Sequence, residues 1–210
     1  NENDIDSNII SKCKMIFLEG YLWDEGEPKK AFDKAIKNAK QKAMSLSDQF
    51  CVDRHKIHFL ELVKNKLDIT FANENEIISL IDAKSFEDVI NFAKQIKRHL
   101  VITRGSNGSI VIKEDQVVEH PANSNLKIVD LTGAGDLFAA GYLHGLINDL
   151  PIKKCLNQGT ILSSKIIQTL GARLLIMTKI RVHKLFPVPV FEQKLVNFES
   201  LNLELENYIF

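Results

Sequence analysis

No apolar run in the sequence approaches the ~18 consecutive residues needed to cross a bilayer. The first residues, Asn1-Glu2-Asn3-Asp4-Ile5-Asp6, have neither a basic start nor an apolar stretch, so they are not expected to act as a secretory leader. They also lack an initiator Met, which suggests a chain that begins mid-protein. Cysteine is scarce. Cys13, Cys51 and Cys155 are odd in number and widely spaced, with no Cys-x-x-Cys, which excludes a disulfide framework or zinc ribbon. That usage fits a reducing, cytoplasmic compartment. An excess of one charge is missing too: 27 Lys and Arg balance 27 Asp and Glu. With no basic surplus, neither nucleic acid nor an anionic membrane is an expected partner. The lysines at 29, 30, 34, 37, 40 and 42 read as the solvated face of one helix. The six histidines show no metal-ligand spacing.

What is present is enough for a core. Hydrophobic residues make up 45% and charged residues 26% of 210 residues, a globular balance for one domain or a little more. Short apolar runs at 14–18, 43–46, 67–71 and 100–103 read as strands. Helical patterns follow them: one opened by Pro28, one over 53–63 with Ile57, Leu60 and Val63 on one face, and then 74–81 and 86–96. Residues 109–113 and 116–119 read as a hairpin turning at Glu114-Asp115. An apolar strand at Ile128-Val129 leads to a helix over 136–146, and another helix covers 152–169. Strands alternating with helices of about three turns specify an α/β fold with a mostly parallel sheet covered on both faces. Ligands of such sheets bind at the carboxyl ends of the strands. Beyond Gly171 the texture changes. Pro187 and Pro189 exclude a continuous helix, and residues 191–208 read as an amphipathic helix.

Three chemically loaded segments fall at strand ends: residues 73–76, 103–108 and 130–136. Thr132-Gly133-Ala134-Gly135-Asp136 opens a helix. Small residues there admit a ligand close to the backbone, and unpaired amides at a helix start favour an anion. Asp136 beside such a cradle is placed to accept a proton from an attacking hydroxyl. The bland alternative is a Gly-rich turn with an Asp complementing the helix dipole. The segment is neither a Walker A loop nor a Gly-x-Gly-x-x-Gly fingerprint. Asn73 reads as an N-cap, with Glu76 in capping-box position. Arg54 and His55 read as a solvated helix end, Cys51 as a small packing residue, and His144 as packed or capping.

The run Asp130-Leu131-Thr132-Gly133-Ala134-Gly135-Asp136-Leu137-Phe138-Ala139-Ala140-Gly141 closely resembles the C-terminal signature of the ribokinase-like (PfkB) carbohydrate kinases. Asn73-Glu74-Asn75-Glu76 resembles the family's Asn-x-x-Glu motif, and residues 103–108 its Thr-x-Gly-x-x-Gly loop. Leu18-Glu19-Gly20-Tyr21-Leu22-Trp23 and the stretch 46–55 are similar to the adenosine-kinase-like branch. The resemblance covers roughly Ser11 to Arg173 and implies a three-layer α/β/α ribokinase-like fold. It implies ATP-dependent phosphoryl transfer to a hydroxymethyl group of a sugar or nucleoside, with ATP and Mg²⁺ as cofactors. Asp136 would be the base, and the amides of Gly133, Ala134 and Gly135 the anion hole. Thr103, Gly105 and Gly108 would line the nucleotide pocket. Asn73 and Glu76 would position Mg²⁺-bound water and phosphate. Asp130 and Thr132 match positions that hold a monovalent cation, K⁺, in some members.

Family members carry first strands, a lid and sugar-gripping residues at their N-terminus, and nothing here matches that part. The expected organisation is therefore a C-terminal part of a kinase domain over residues 1–171 and a divergent tail over 172–210. A phosphate half without a sugar half is expected to be weak or inactive, and to self-associate or pair with a missing N-terminal half. The competing expectation is a non-catalytic nucleotide-binding or assembly module that keeps the fold.

Overall fold

The computed structural model describes residues 1–174. The expected divergent tail lies outside the described residues from 175 onward, as does the amphipathic helix expected over 191–208. Six strands form one sheet: β1 (Ile16–Glu19), β2 (Lys42–Ser45), β3 (Ile69–Asn73), β4 (His99–Thr103), β5 (Ser109–Lys113) and β6 (Gln116–His120). Their spatial order is their chain order, β1-β2-β3-β4-β5-β6. The pairs β1–β2, β2–β3 and β3–β4 are parallel, and β4–β5–β6 is an antiparallel meander. A parallel neighbour needs a crossover and an antiparallel one needs only a hairpin, so helical crossovers join the first four strands.

Among the described residues seven α-helices accompany the sheet: α1 (Ser7–Lys12), α2 (Glu27–Asn38), α3 (Gln49–Glu61), α4 (Glu74–Ile81), α5 (Phe86–Ile96), α6 (Ala134–Ile147) and α7 (Ile152–Ile166). Two cores result from the two-residue period of the strands. Met44, Leu100, Ile102, Ile110 and Ile112 face one way, onto Phe59, Ile77, Leu80 and Val89 of α3, α4 and α5. Ala43, Ile69, Phe71, Val101 and Val111 face the other way, onto Phe138, Tyr142, Cys155 and Leu156 of α6 and α7. The three-layer α/β/α architecture is therefore present. In the second core His99 of β4 and Tyr142 of α6 share a hydrogen bond of 2.7 Å.

Several expectations shift. The third helix begins at Gln49 rather than 53 because Asp48 caps it, accepting from the Cys51 amide at 2.6 Å. Its buried face is Cys51, Val52, His55 and Phe59, whereas Ile57 is 82% exposed. Of the expected face only Ile57 turns to solvent: Val63 is buried and Leu60 packs against the core, with a non-helical backbone at His55 and a π turn over Leu62–Lys66. His55 is not a solvated helix end. It is buried, with its ring centroid 4.6 Å from that of Trp23 and 5.6 Å from that of Phe59. The lysine run is not one helical face either. α2 ends at Asn38, and Lys42 lies in β2, where its ammonium stands 3.4 Å from Asp68.

Ile128-Val129 forms no strand. The amides of Val129 and Asp130 donate instead to the Ile167 carbonyl, just past α7, so no strand edge is used, and Ile128, Val129 and Leu131 remain exposed. The helices expected over 136–146 and 152–169 are Ala134–Ile147 and Ile152–Ile166. Among the described residues no helix is long and apolar enough to cross a membrane.

Candidate active site

The parallel strands deliver their carboxyl ends to one rim. Asn73 ends β3 and Thr103 ends β4, and the two are register partners. Asn73 caps α4. Its Oδ1 accepts from the Glu76 amide at 2.9 Å, and the Glu76 carboxylate accepts from the Asn73 amide at 2.9 Å and from its Nδ2 at 2.5 Å. This reciprocal box holds a carboxylate that is only 4% exposed. Burial pushes the Glu76 pKa up to about 7, the charges of Asp48 and Glu19 push it the same way, and the Asn73 hydrogen bonds oppose them.

The next loop is framed by backbone. The Arg104 amide donates to the Gly108 carbonyl at 2.8 Å, and residues 105–107 form one 3₁₀ turn. Gly108 has φ +85°, and a Cβ there would lie 2.1 Å from the His120 carbonyl oxygen. Only glycine fits that combination.

The third element is the start of α6. Gly133, in the left-handed region, is its N-cap. The Ala134 amide is spent on the Leu131 carbonyl at 3.1 Å, whereas those of Gly133, Gly135 and Asp136 have no acceptor among the described residues. Of the expected Gly133-Ala134-Gly135 donors, Gly133 and Gly135 thus remain free among the described residues, and the Asp136 amide joins them in place of Ala134. A Cβ at Gly135 would meet nothing within 4 Å, so this turn borders open space. The Asp136 side chain is exposed at the same turn.

Asp130 organises the approach to α6. Its Oδ1 accepts from the Thr132 amide at 2.9 Å and the Thr132 hydroxyl at 2.7 Å, and its Oδ2 from the Gly171 amide at 2.9 Å. Those hydrogen bonds, the Thr132 amide foremost, hold its carboxyl below the usual range.

A cavity of about 460 Å³ joins two of these elements. Thr103, Gly105 and Gly108 line it from one side, and Ala134 and Gly135 from the other. Ile128, Leu131, Phe138 and Ile167 give it an apolar wall, and Asn123, Thr160, Ser163 and Ser164 add polar groups. An apolar slot ending at free helix-start amides can take a flat apolar group joined to an anion. Asn73, Glu76, Asp130, Thr132, Gly133 and Asp136 do not line this cavity; they flank it.

Sequence reasoning gave Glu19 and Ser47 no role, yet both stand on the same rim. The Ser47 hydroxyl donates to the Glu19 carboxylate and accepts from the Tyr21 amide at 3.0 Å. Tyr21 in turn donates its hydroxyl to Asp48 at 2.9 Å. Burial raises the Glu19 pKa, the Ser47 hydrogen bond opposes it, and the charge of Asp136 adds to the rise. A signal was available in the sequence: a Glu at the end of a strand otherwise apolar. Ser47 is a non-glycine residue at φ +77°, held there by these bonds. Among the described residues no group of three or more His, Cys, Asp or Glu side chains is arranged to hold a metal by itself. A cation at this rim would have to share its coordination with water or phosphate.

A family profile described as pfkB family carbohydrate kinase matches residues 1–179. Adenosine kinase 2 of Arabidopsis thaliana is 27% identical over 183 residues, covering 78% of this chain and 52% of that protein. The crystal structure of adenosine kinase from Sinorhizobium meliloti is 31% identical with a TM-score of 0.82, covering 88% of this chain and 58% of that one. A ribokinase II from E. coli, in complex with ATP and Mg²⁺, has a TM-score of 0.73 at 18% identity, covering 82% of this chain and 58% of that one, and shows the shared fold. The chain spans about half the length of the curated relatives it matches.

Proposed function

Because the chain belongs to the pfkB family of carbohydrate kinases, on its adenosine-kinase-like branch, we propose that its rim serves ATP-dependent phosphoryl transfer to a hydroxymethyl group of a sugar or nucleoside. The observation that carries this reading is the cavity shared by Thr103, Gly105 and Gly108 with Ala134 and Gly135. It offers an adenine-sized apolar slot leading to the free amides of Gly135 and Asp136. The terminal phosphate then lies beside Asp136. The attacking oxygen forms its bond to phosphorus as the bond to the leaving diphosphate breaks, and Asp136 takes the hydroxyl proton.

Glu76, held by Asn73, would position a water of a Mg²⁺ ion. That ion supplies charge neutralisation to the phosphates when bound. Asp130 and Thr132 are where K⁺ would act in this reading. The carboxyl and hydroxyl of that pair are already bonded to each other, which supports a role in shaping the loop first.

The substrate side rests on less surface. Among the described residues β1 is an edge strand, paired only with β2, and its Phe17 is 42% exposed. In this reading that edge pairs with a second chain, either another copy or a separately supplied sugar-gripping half, and the chain alone turns over weakly. Nucleotide binding without turnover is the second reading; the cavity and free amides would serve it equally.

The test is phosphoryl transfer from ATP to a panel of sugars and nucleosides, with native protein and Asp136→Asn. The amide keeps the size of the side chain but cannot take the proton. A ~10²–10⁴-fold lower rate with Mg-ATP affinity kept within a few-fold is expected. Equal rates would remove Asp136 from the chemistry. Mg-ATP binding with no transfer to any acceptor would select the second reading.

A further inference from the structure

Arg104 lies inside the nucleotide loop but does not line the cavity. Its side chain turns the other way. Nε donates to the Glu74 carboxylate at 3.1 Å, and the guanidinium carbon lies 3.9 Å from the centroid of the Phe86 ring. Glu74 is the first residue of α4, next to Asn73, and Phe86 is the first residue of α5. Both partners of the ion pair are less than a third exposed, at 22% and 29%. Among the described residues, no other side chain of the 103–108 loop makes a hydrogen bond or ion pair.

We infer that Arg104 is a positioning residue that couples the nucleotide loop to the turn holding Asn73 and Glu76. The inference rests on the nucleotide reading of the cavity given above. The backbone of Arg104 frames the loop on both sides: its amide donates to Gly108 at 2.8 Å and its carbonyl accepts from the Asn107 amide at 2.9 Å. With its guanidinium anchored on Glu74 and Phe86, Arg104 restrains the backbone segment that closes the loop. Glu74 begins the helix whose cap orients Glu76, so a shift of Glu74 moves the carboxylate of the proposed Mg²⁺ side. The sheet already sets Asn73 beside Thr103. The Arg104–Glu74 pair adds a second tie between the same two segments, and stacking on Phe86 fixes its plane. Arginine suits this place because it can pair in-plane through Nε and stack at the same time; lysine can do only one of these well. Binding at either segment then favours the geometry that the other requires, which is a coupling between nucleotide and cation.

The experiment is calorimetric titration with ATP, with and without Mg²⁺. The proteins are the native chain, Arg104→Gln, Arg104→Lys, Glu74→Gln and the Arg104→Gln/Glu74→Gln double variant. The native protein should bind Mg-ATP better than ATP alone. Arg104→Gln should weaken Mg-ATP binding by about 5- to 10-fold, on the order of one stacked cation and one partly buried pair. It should also shrink the Mg²⁺ enhancement. Arg104→Lys should fall between Arg104→Gln and native, and the double variant should be little worse than the worse single one. If Arg104→Gln fails to fold, Glu74→Gln, on an accessible helix start, carries the same expectation alone. Unchanged Mg²⁺ enhancement in the variants, or a double variant whose loss is the product of the single losses, would overturn the coupling. No binding of Mg-ATP by the native protein would overturn the nucleotide reading and this inference together.

Discussion

Asn73 and Thr103 sit side by side at the carboxyl ends of two parallel strands, so two motifs thirty residues apart in the chain share one rim. The parallel register puts them there. In an antiparallel pair the two strands would end at opposite edges of the sheet. The turn at residues 73–76 and the loop at 103–108 thus reach the start of α6 from the same side.

Asn73 makes two separable contributions, and its substitution should show both. Asn73→Ala removes the acceptor for the Glu76 amide and the Nδ2 donor to the Glu76 carboxylate. A lost cap costs about 1–2 kcal/mol. Asn73→Ser keeps an acceptor for the amide and should recover most of that loss. Denaturant unfolding of the three proteins checks this, and equal midpoints for native and Ala forms would contradict it.

Gly108 should tolerate no side chain. Alanine there combines a φ of +85° with a Cβ placed 2.1 Å from a backbone oxygen of the neighbouring strand end. Backbone that cannot yield makes this a strain of about 2–4 kcal/mol. Thermal melting of Gly108→Ala should drop by roughly 5–15 °C for a chain of this size. A melt unchanged from native would contradict the stated geometry.

His99 should make stability fall with acidity. It is buried against Tyr142, and burial, with help from the charge of Lys113 on the adjacent strand, lowers its pKa to about 4 from 6.5. The unfolded chain therefore binds the proton more readily. The His99 contribution is fully present above about pH 6.5 and is lost as pH falls from there to about 4. Over that window the loss is about 3 kcal/mol. Carboxylates also titrate in the lower part of this range, so the measurement is the difference between native protein and His99→Gln. The variant should show a shallower decline of unfolding free energy between pH 6.5 and 4. Parallel profiles would contradict it.

The sheet was legible because its strands are short apolar runs between strong helix signals, and the capping box at Asn73 and Glu76 can be read from residue types at fixed spacing. The rim motifs could be placed because loops after parallel strands share one edge. What escaped reading depended on tertiary contacts. Ile57 turned out of the core where α3 is kinked at His55 and runs into a π turn, and neither feature has a local sequence signature. Ile128-Val129 looked like a strand because it is apolar, but Ile128 lines the cavity and Val129 is exposed, and such residues look the same in sequence as those of a buried strand. The Arg104–Glu74 pair and the Ser47–Glu19 contact each join segments close to thirty residues apart, a separation at which spacing gives no signal.

The central claim is that the cavity between the 103–108 loop and the start of α6 holds the nucleotide, and Gly135 allows the most direct test. A Cβ at 135 would meet nothing within 4 Å outside its own helix turn, so Gly135→Val should fold with a melt within a few degrees of native. The same side chain projects into the space beside the free amides and should displace phosphate. Calorimetric titration with Mg-ATP should therefore give binding for the native protein and at least a tenfold weaker or undetectable signal for Gly135→Val. Equal affinity of the two proteins, both folded, would contradict the placement of the nucleotide in this cavity.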